Sequence, residues 1–202
     1  MKKLFTILSV LILTTTMSFS QTQYGATAGL NLANVSGDDM DNTSMRLGIR
    51  LGLNFTRELS DVVTLNSGLV YSVKGASYEA VKYNIDALTF EDVDADMSLN
   101  YIELPVNFGF SVSDQFSLMA GFYSAFLVGV SNTIDGEDMD ADVDDFASID
   151  FGIGLGAEFS VNDAISINAG YQMGLSPIDD DGDTDIKHSN ILVGVSYSFG
   201  GW

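Results

Sequence analysis

Residues 45–56 read MRLGIRLGLNFT, and the fold can be predicted from the pattern of this segment. Large apolar side chains occupy every odd position from Met45 to Phe55, while the even positions carry arginine, glycine, asparagine and threonine. A repeat of two residues places the two sets on opposite faces of a β-strand. The pattern therefore predicts long strands with one apolar face. The same alternation recurs in three later stretches, 149–159, 165–175 and 191–199.

Four less regular segments complete a set of eight predicted strands, and they lie near 23–33, 62–75, 98–111 and 115–131. Strands of this length exceed the roughly five or six residues of soluble sheets and match the roughly 9–11 residues with which a tilted strand crosses a bilayer. Long links and short turns alternate along the chain, as in an up-and-down barrel with its loops at one end. The long links are predicted near 34–44, 76–97, 132–146 and 177–188.

The composition of the two strand faces separates a membrane barrel from a soluble one. A soluble barrel encloses its large apolar side chains and exposes charged ones. Here the second face consists mainly of Gly, Ser and Asn, which fit a narrow eight-stranded interior, whereas the apolar face suits hydrocarbon. We therefore predict an all-β, eight-stranded antiparallel up-and-down transmembrane β-barrel. A soluble eight-stranded barrel or a β-sandwich is the alternative.

The N-terminus has the three regions of a secretory signal peptide. Two lysines precede an apolar run at 4–13, and the small residues Ser18 and Ser20 stand just before a cleavage point. We predict that residues 1–20 are a cleavable signal peptide and that 21–202 form one barrel domain. A buried N-terminal helix is the alternative. Because an exported barrel needs a membrane to enter, we expect the protein in the cell outer membrane.

The charge of the chain is strongly negative. There are 28 Asp and Glu against 8 Lys and Arg, a formal charge of −20, and 46% of the residues are hydrophobic. Such a charge repels phosphate and argues against a nucleic-acid partner, while the apolar content argues against disorder. Cysteine is absent, which excludes disulfides and thiolate catalysis. The four long links hold 21 of the 28 acidic residues, so we expect an anionic surface at the loop end.

Six charged residues within the predicted strands fall on the small, polar face. Arg or Lys facing lipid at mid-bilayer costs roughly 2–4 kcal/mol, so these side chains must point into the lumen. Unpaired charges in a narrow dry lumen are costly, and we expect an arginine to pair with Glu103 or Asp150. An internal ion-pair network that fills the barrel is favoured over a transport pathway. Its predicted members are Arg46, Arg50, Lys74, Glu103, Asp150 and Glu158.

The segment DDDGDTD at 179–185 places carboxylates at alternating positions around a glycine. This spacing is similar to the start of a calcium-binding loop, although the bidentate glutamate that normally completes such a loop is absent. A solvated acidic loop is the favoured interpretation, and weak Ca²⁺ binding is the alternative; no other cofactor is predicted. The candidate calcium ligands are Asp179, Asp181, Asp183 and Asp185.

His188 is the only histidine, and it stands beside Ser189 at the predicted outer rim of the last strand. A rim Ser and His with an acid would suit a lipid A hydrolase. Adjacent residues of a strand point to opposite faces, however, and no second motif supports catalysis. We therefore expect a surface histidine without a catalytic role, and a protein that is not an enzyme.

Two segments carry a resemblance to a known family. The stretch LVYSVKGASY at 69–78 contains Lys74-Gly75, and LNYIELPVNFGF at 99–110 contains a Tyr-Ile-Glu-Leu-Pro run that ends at Pro105. In these motifs, and in layout over nearly the whole mature chain, the sequence resembles the PorT-like outer-membrane β-barrel family of Bacteroidetes. The resemblance implies a barrel fold more than an activity. The family's namesake is implicated in gliding and type IX secretion, which implies an accessory role in secretion as one alternative.

The predicted function is that of a non-enzymatic outer-membrane barrel with a surface-interaction or envelope structural role. Its acidic loops would bind cations, envelope glycans or a surface protein, and its outer face would contact outer-membrane lipid and lipopolysaccharide. We expect a monomer. The alternatives are an accessory to secretion or gliding, a rim-active lipid A enzyme and a small pore.

Overall fold

A computed structural model describes residues 22–37, 43–84, 89–179 and 185–201. The predicted signal peptide lies outside the described residues. Ten strands and one short 3₁₀-helix (Val143–Asp145) form the described part of the chain. The strands are β1 (Thr22–Ser36), β2 (Thr43–Ser44), β3 (Arg46–Ser60), β4 (Val63–Asn84), β5 (Thr89–Ser111), β6 (Phe116–Ile134), β7 (Glu137–Met139), β8 (Ile149–Ser160), β9 (Ile165–Gly174) and β10 (Lys187–Gly201).

The eight long strands close into a ring. Each pairs in antiparallel fashion with its neighbours in the order β1, β3, β4, β5, β6, β8, β9 and β10, and β10 pairs back with β1. Closure leaves no unpaired edge in the barrel wall. The prediction of an eight-stranded antiparallel up-and-down barrel is confirmed. None of the helices in the described ranges is long and apolar enough to cross a membrane.

The link predicted at 76–97 is wrong in extent, because most of it is strand. β4 and β5 continue their pairing from Gly75 and Ser98 to Asn84 and Thr89, at the end of the barrel that carries the long loops. The acidic residues of this stretch suggested a loop, but a strand above the bilayer can expose charge on both faces. Two short strands widen the sheet at this end of the barrel, where β2 pairs with β4 and β7 pairs with β6.

The outward face of the barrel is apolar and exposed. Leu53 and Leu155, for example, retain 64% and 69% of their accessible surface. Inward positions hold glycine, serine, asparagine and the buried charges. An exposed apolar belt of this extent requires a lipid solvent, since in water it would drive association.

Two positions show why particular residues stand in the wall. Gly75 has φ +129°, and a β-carbon there would collide with the Met97 carbonyl, so only glycine fits this bend of β4. Pro105 lies in β5, where the pairing with β4 skips two positions between Glu103 and Val106. Because proline has no N–H to donate, an interruption of the ladder accommodates it.

Candidate functional site in the barrel lumen

Four charged side chains from four strands meet inside the barrel. Arg50 Nη2 lies 2.5 Å from Glu103 Oε1. Lys74 Nζ donates a hydrogen bond to Asp150 Oδ2 at 2.8 Å and lies 3.4 Å from Glu103 Oε2. Charges of alternating sign therefore follow one another in the order Arg50, Glu103, Lys74, Asp150. Their sum is zero, which lowers the cost of placing ions away from water. We call these four residues the ion cluster.

Three of the four residues of the ion cluster are buried, and polar neighbours stabilise the cluster further. Lys74 and Glu103 have no accessible surface, and Asp150 retains 3%. Gln172 Nε2 donates to Glu103 Oε1 at 3.0 Å, and Ser176 Oγ donates to Asp150 Oδ1 at 3.1 Å. Both carboxylates thus accept hydrogen bonds in addition to their ion pairs, as buried carboxylates require.

Two tyrosines enclose the Lys74 ammonium group. Its Nζ lies 3.9 Å from the centroid of the Tyr123 ring and 5.3 Å from that of Tyr101. The Tyr123 hydroxyl also donates to Asp150 Oδ1 at 3.4 Å. Ring faces attract a desolvated cation, so the tyrosines replace part of the hydration that Lys74 loses.

An apolar layer covers the ion cluster at the loop end. The Ile178 N–H donates to the Ile186 carbonyl at 2.9 Å, and the Ala147 N–H donates to the Ile178 carbonyl at 2.8 Å. These bonds fix two loops across the mouth of the barrel. Together the ion cluster and this layer fill the lumen at the loop end. The apolar side chains that pack there are Val35, Ala76, Leu99, Phe146, Ile178 and Ile186.

Two of the six predicted lumen residues stand apart from the ion cluster. Arg46 lies near the loop end, and its Nε is 3.9 Å from Asp96 Oδ1. Glu158 lies toward the turn end, where it forms a hydrogen bond with the Ser166 side chain. The structure thus brings together Arg50, Lys74, Glu103 and Asp150 and leaves the other two outside.

Some residues of the site were not predicted from the sequence. Tyr101, Tyr123 and Gln172 all lie on the inward face of their strands, so the alternation of the strands was a usable signal for them. Ser176 follows the end of β9 and reaches Asp150 through the path of a loop. No local pattern predicts such a contact.

The expectation that His188 is a surface residue is wrong. His188 is completely buried, and its Nε2 lies 3.1 Å from the Tyr101 hydroxyl inside the barrel. Ser189 faces the other way, and its hydroxyl lies 2.8 Å from that of Tyr171 on the outer surface. Because adjacent strand residues point to opposite faces, the two side chains cannot act on one substrate.

The candidate calcium loop is only partly described. Asp179 forms a β-bridge with Phe146, and Asp185 Oδ1 lies 2.6 Å from Lys187 Nζ. Asp181 and Asp183 lie outside the described residues. Among the residues that are described, no group of three or more acidic or histidine side chains is placed to hold a metal ion. Calcium binding by this loop stays a prediction.

A closed antiparallel ring with an apolar exterior and a polar, ion-paired interior defines a membrane β-barrel. The chain belongs to the family described as the outer membrane protein beta-barrel domain, whose model matches residues 19–180. Membership of this family places the protein in the outer membrane. A comparison with curated protein sequences gives no significant match.

Solved structures of outer-membrane barrels are similar to this chain. Neisserial surface protein A shares 16% identity, with 90% of this chain and 98% of that chain covered and a TM-score of 0.50. Ail of Yersinia pestis also shares 16% identity, covering 89% and 99% at a TM-score of 0.47. OprG of Pseudomonas aeruginosa shares 14% identity, covering 90% and 95% at 0.40. At such identities, the likeness to the Neisserial protein shows a common fold and nothing about activity.

Proposed function

We propose that this protein is a non-enzymatic surface-interaction barrel whose acidic β4–β5 hairpin binds a positively charged surface protein outside the membrane. The observation that carries the proposal is the length of the hairpin, which has 22 residues in β4 and 23 in β5. At about 3.3 Å per residue and a tilt of about 35–45°, a strand of this length rises roughly 50–60 Å. The apolar band of such barrels is only about 25 Å tall, so much of the hairpin projects beyond it.

The projecting part of the hairpin combines apolar and acidic side chains on one face. Val81 and Phe90 are 65% and 75% exposed. Glu79 lies opposite Asp94, and Val81 lies opposite Asp92, so these four share a face of the two-stranded ribbon. Exposed aromatic and aliphatic side chains among acids suit a partner that offers basic residues around an apolar contact.

An ion pair joins the hairpin to the turn between β6 and β7. Lys82 Nζ lies 2.8 Å from Asp135 Oδ2 and 3.8 Å from Glu137 Oε2. The hydrogen bond to Asp135, together with the charges of Asp135 and Glu137, raises the pKa of Lys82. The lysine therefore stays charged at neutral pH, and a preorganised ribbon loses less entropy when it binds.

Affinity purification from intact cells tests this proposal. The first variant replaces Glu79, Asp92 and Asp94 by the corresponding amides, and the control replaces Asp114 and Asp163, which lie in turns at the other end, by asparagine. We expect the hairpin variant to lose the captured protein and the control to keep it. Capture that survives in the hairpin variant would contradict the proposal. Adding a chelator in a parallel arm shows whether Ca²⁺ bridges the acids to an anionic glycan instead.

The resemblance to PorT-like proteins supports an accessory role in secretion as a second candidate. Lys74 and Glu103, from the two resembling motifs, both belong to the ion cluster. The two motifs therefore support the fold and the interior of the barrel. They are weaker support for a secretion partner than the projecting hairpin is for a surface partner. Normal secretion and gliding in a deletion strain would remove this candidate.

The remaining alternatives are supported less well. A pore conflicts with side chains that fill the lumen at the loop end, among them Tyr101, Lys74 and Leu99. A rim-active lipid A enzyme conflicts with the buried His188. We further propose that the apolar belt contacts outer-membrane lipid, including lipopolysaccharide, and that the protein is a monomer, since each long strand of the wall already has two neighbours.

A further inference from the structure

The outer edge of β4 is open along the projecting part of the hairpin. In the barrel wall β4 pairs with β3, and this pairing ends at Ser72. Beyond the wall, β2 pairs with the same edge at Ser77 and Tyr78. From Glu79 to Asn84, β4 pairs with β5 on its other side, and among the described residues no strand pairs with its outer edge. This segment is therefore the edge of a sheet.

The direction of the backbone groups at this edge follows from the pairing. The Asp135 N–H donates to the Asp94 carbonyl at 2.9 Å, so the backbone of Asp94 points away from β4. Asp94 lies opposite Glu79, and two opposed residues of this kind exchange no hydrogen bond in an antiparallel ladder. The N–H and C=O groups of Glu79, Val81 and Tyr83 therefore point outward from the edge, whereas those of the residues between them bond to β5.

The short strand β2 shows that this edge pairs with a further strand. Ser44 lies opposite Ser77, and Thr43 lies opposite Tyr78. Backbone groups that are open to water at a sheet edge form a template for pairing with another chain. The edge beyond Tyr78 is long enough for a strand of about five residues, which is a common strand length.

The side chains at the edge favour a basic strand as the partner. Those of Glu79 and Val81 lie on one face of the hairpin, with Asp92 and Asp94 beside them on β5. Residues 76–97 contain six acidic residues and one lysine, a net charge of −5. Opposite charges in cross-strand positions stabilise a sheet, and like charges destabilise it. A second copy of the same acidic hairpin is therefore disfavoured, whereas a strand that alternates basic and apolar residues on one face matches Glu79 and Val81.

We propose that the partner protein binds by adding a β-strand to the outer edge of β4. This proposal rests on the proposed function and states how the hairpin holds its partner. The partner strand pairs through its backbone with Glu79, Val81 and Tyr83. It places a basic side chain beside Glu79 and an apolar side chain beside Val81, so basic and apolar residues alternate at every second position of its sequence.

Amide hydrogen exchange tests this mode of binding in the refolded full-length barrel in zwitterionic micelles. The probe is the peptide Thr-Lys-Thr-Val-Thr-Lys-Thr, and the control peptide carries glutamate in place of lysine. In the free protein we expect fast exchange at the amides of Glu79, Val81 and Tyr83 and slow exchange at those of Ala80 and Lys82. The lysine peptide should slow exchange at the first three at least about tenfold. It should also bind at least about tenfold more tightly than the glutamate peptide.

The results distinguish strand addition from the proposed function. Binding of the lysine peptide without protection of the three edge amides overturns strand addition, while a basic partner on the face of the hairpin still stands. Absence of binding, or equal binding of the two peptides, also overturns the proposal. Protection of the same amides in concentrated protein without peptide shows that two copies pair, and overturns it as well. The capture experiment, which tests the proposed function, is independent of these results.

Val81→Pro gives a second test. Proline keeps an apolar side chain and every charge of the hairpin but removes one N–H from the edge, where proline is tolerated because this group bonds to no strand. We expect it to weaken binding of the lysine peptide about tenfold, whereas Asp114→Asn, in an exposed turn at the other end, keeps the affinity. Unchanged affinity in Val81→Pro overturns the proposal. The exchange measurement on the unmodified protein decides the question even if this variant does not refold.

Discussion

Replacing Glu103 by glutamine should destabilise the barrel strongly, although the two side chains have nearly the same shape. Glu103 is completely buried and contacts Arg50 at 2.5 Å, Gln172 at 3.0 Å and Lys74 at 3.4 Å. The amide keeps one acceptor oxygen but removes the negative charge. The ion cluster then has two cations against one carboxylate, so a positive charge is left uncompensated in the lumen.

The expected loss follows from what remains around the two cations. Breaking a buried ion pair by removing one partner costs about 3–5 kcal/mol. Lys74 keeps Asp150 at 2.8 Å and the Tyr123 ring at 3.9 Å, whereas Arg50 loses its carboxylate partner. Because one of the two cations stays paired, we expect the low end of the range, about 3 kcal/mol in the free energy of unfolding.

Denaturant unfolding of the barrel refolded into lipid vesicles measures this loss, with Asp114→Asn as an exposed control that should change little. A double variant gives the sharper result. In Glu103→Gln with Arg50→Met, the unpaired charge is gone and much of the stability should return, so the losses of the two single variants should not add. A loss below about 1 kcal/mol for Glu103→Gln, or full additivity in the double variant, would contradict the stabilising role assigned to the ion cluster.

Three further outcomes follow from the fold. Ile153→Arg, near the middle of the outward apolar run of β8, should lower the free energy of unfolding in vesicles by about 2–4 kcal/mol. Ile149→Arg, at the end of the run, should lower it by about 0–1 kcal/mol. Equal losses would mean that the bilayer does not surround this run. Gly75→Ala should lower the melting temperature more than Gly136→Ala, because both glycines have positive φ but only Gly75 is crowded by a carbonyl. The reverse order would exclude the bend assigned to Gly75. Planar bilayers that contain the purified barrel should show no steady conductance, since buried side chains fill the lumen at the loop end; reproducible channels would show that this end opens.

Much of the barrel could be predicted from the sequence because its signal is local. In 45–56 and 149–159 the alternation of apolar and small or polar residues shows which face each side chain occupies. The two faces differ chemically because one contacts lipid and the other lines a narrow lumen. The extent of β4 and β5 could not be predicted in this way. Above the bilayer both faces of a strand meet water, so the alternation fades although the pairing continues to Asn84 and Thr89.

In the candidate site, the direction of the charged side chains could be predicted from the sequence, but their contacts could not. The inward direction of Arg50, Lys74, Glu103 and Asp150 follows from the sequence, because hydrocarbon does not tolerate these charges on the other face. Which of them meet is visible only in the folded barrel, since contact depends on the register of four strands and on the closure of the ring. Closure also buried His188 inside the barrel and left Glu158 apart from the ion cluster, toward the turn end. A strand pattern fixes the direction of a side chain, whereas its partner is set by residues far away in the chain.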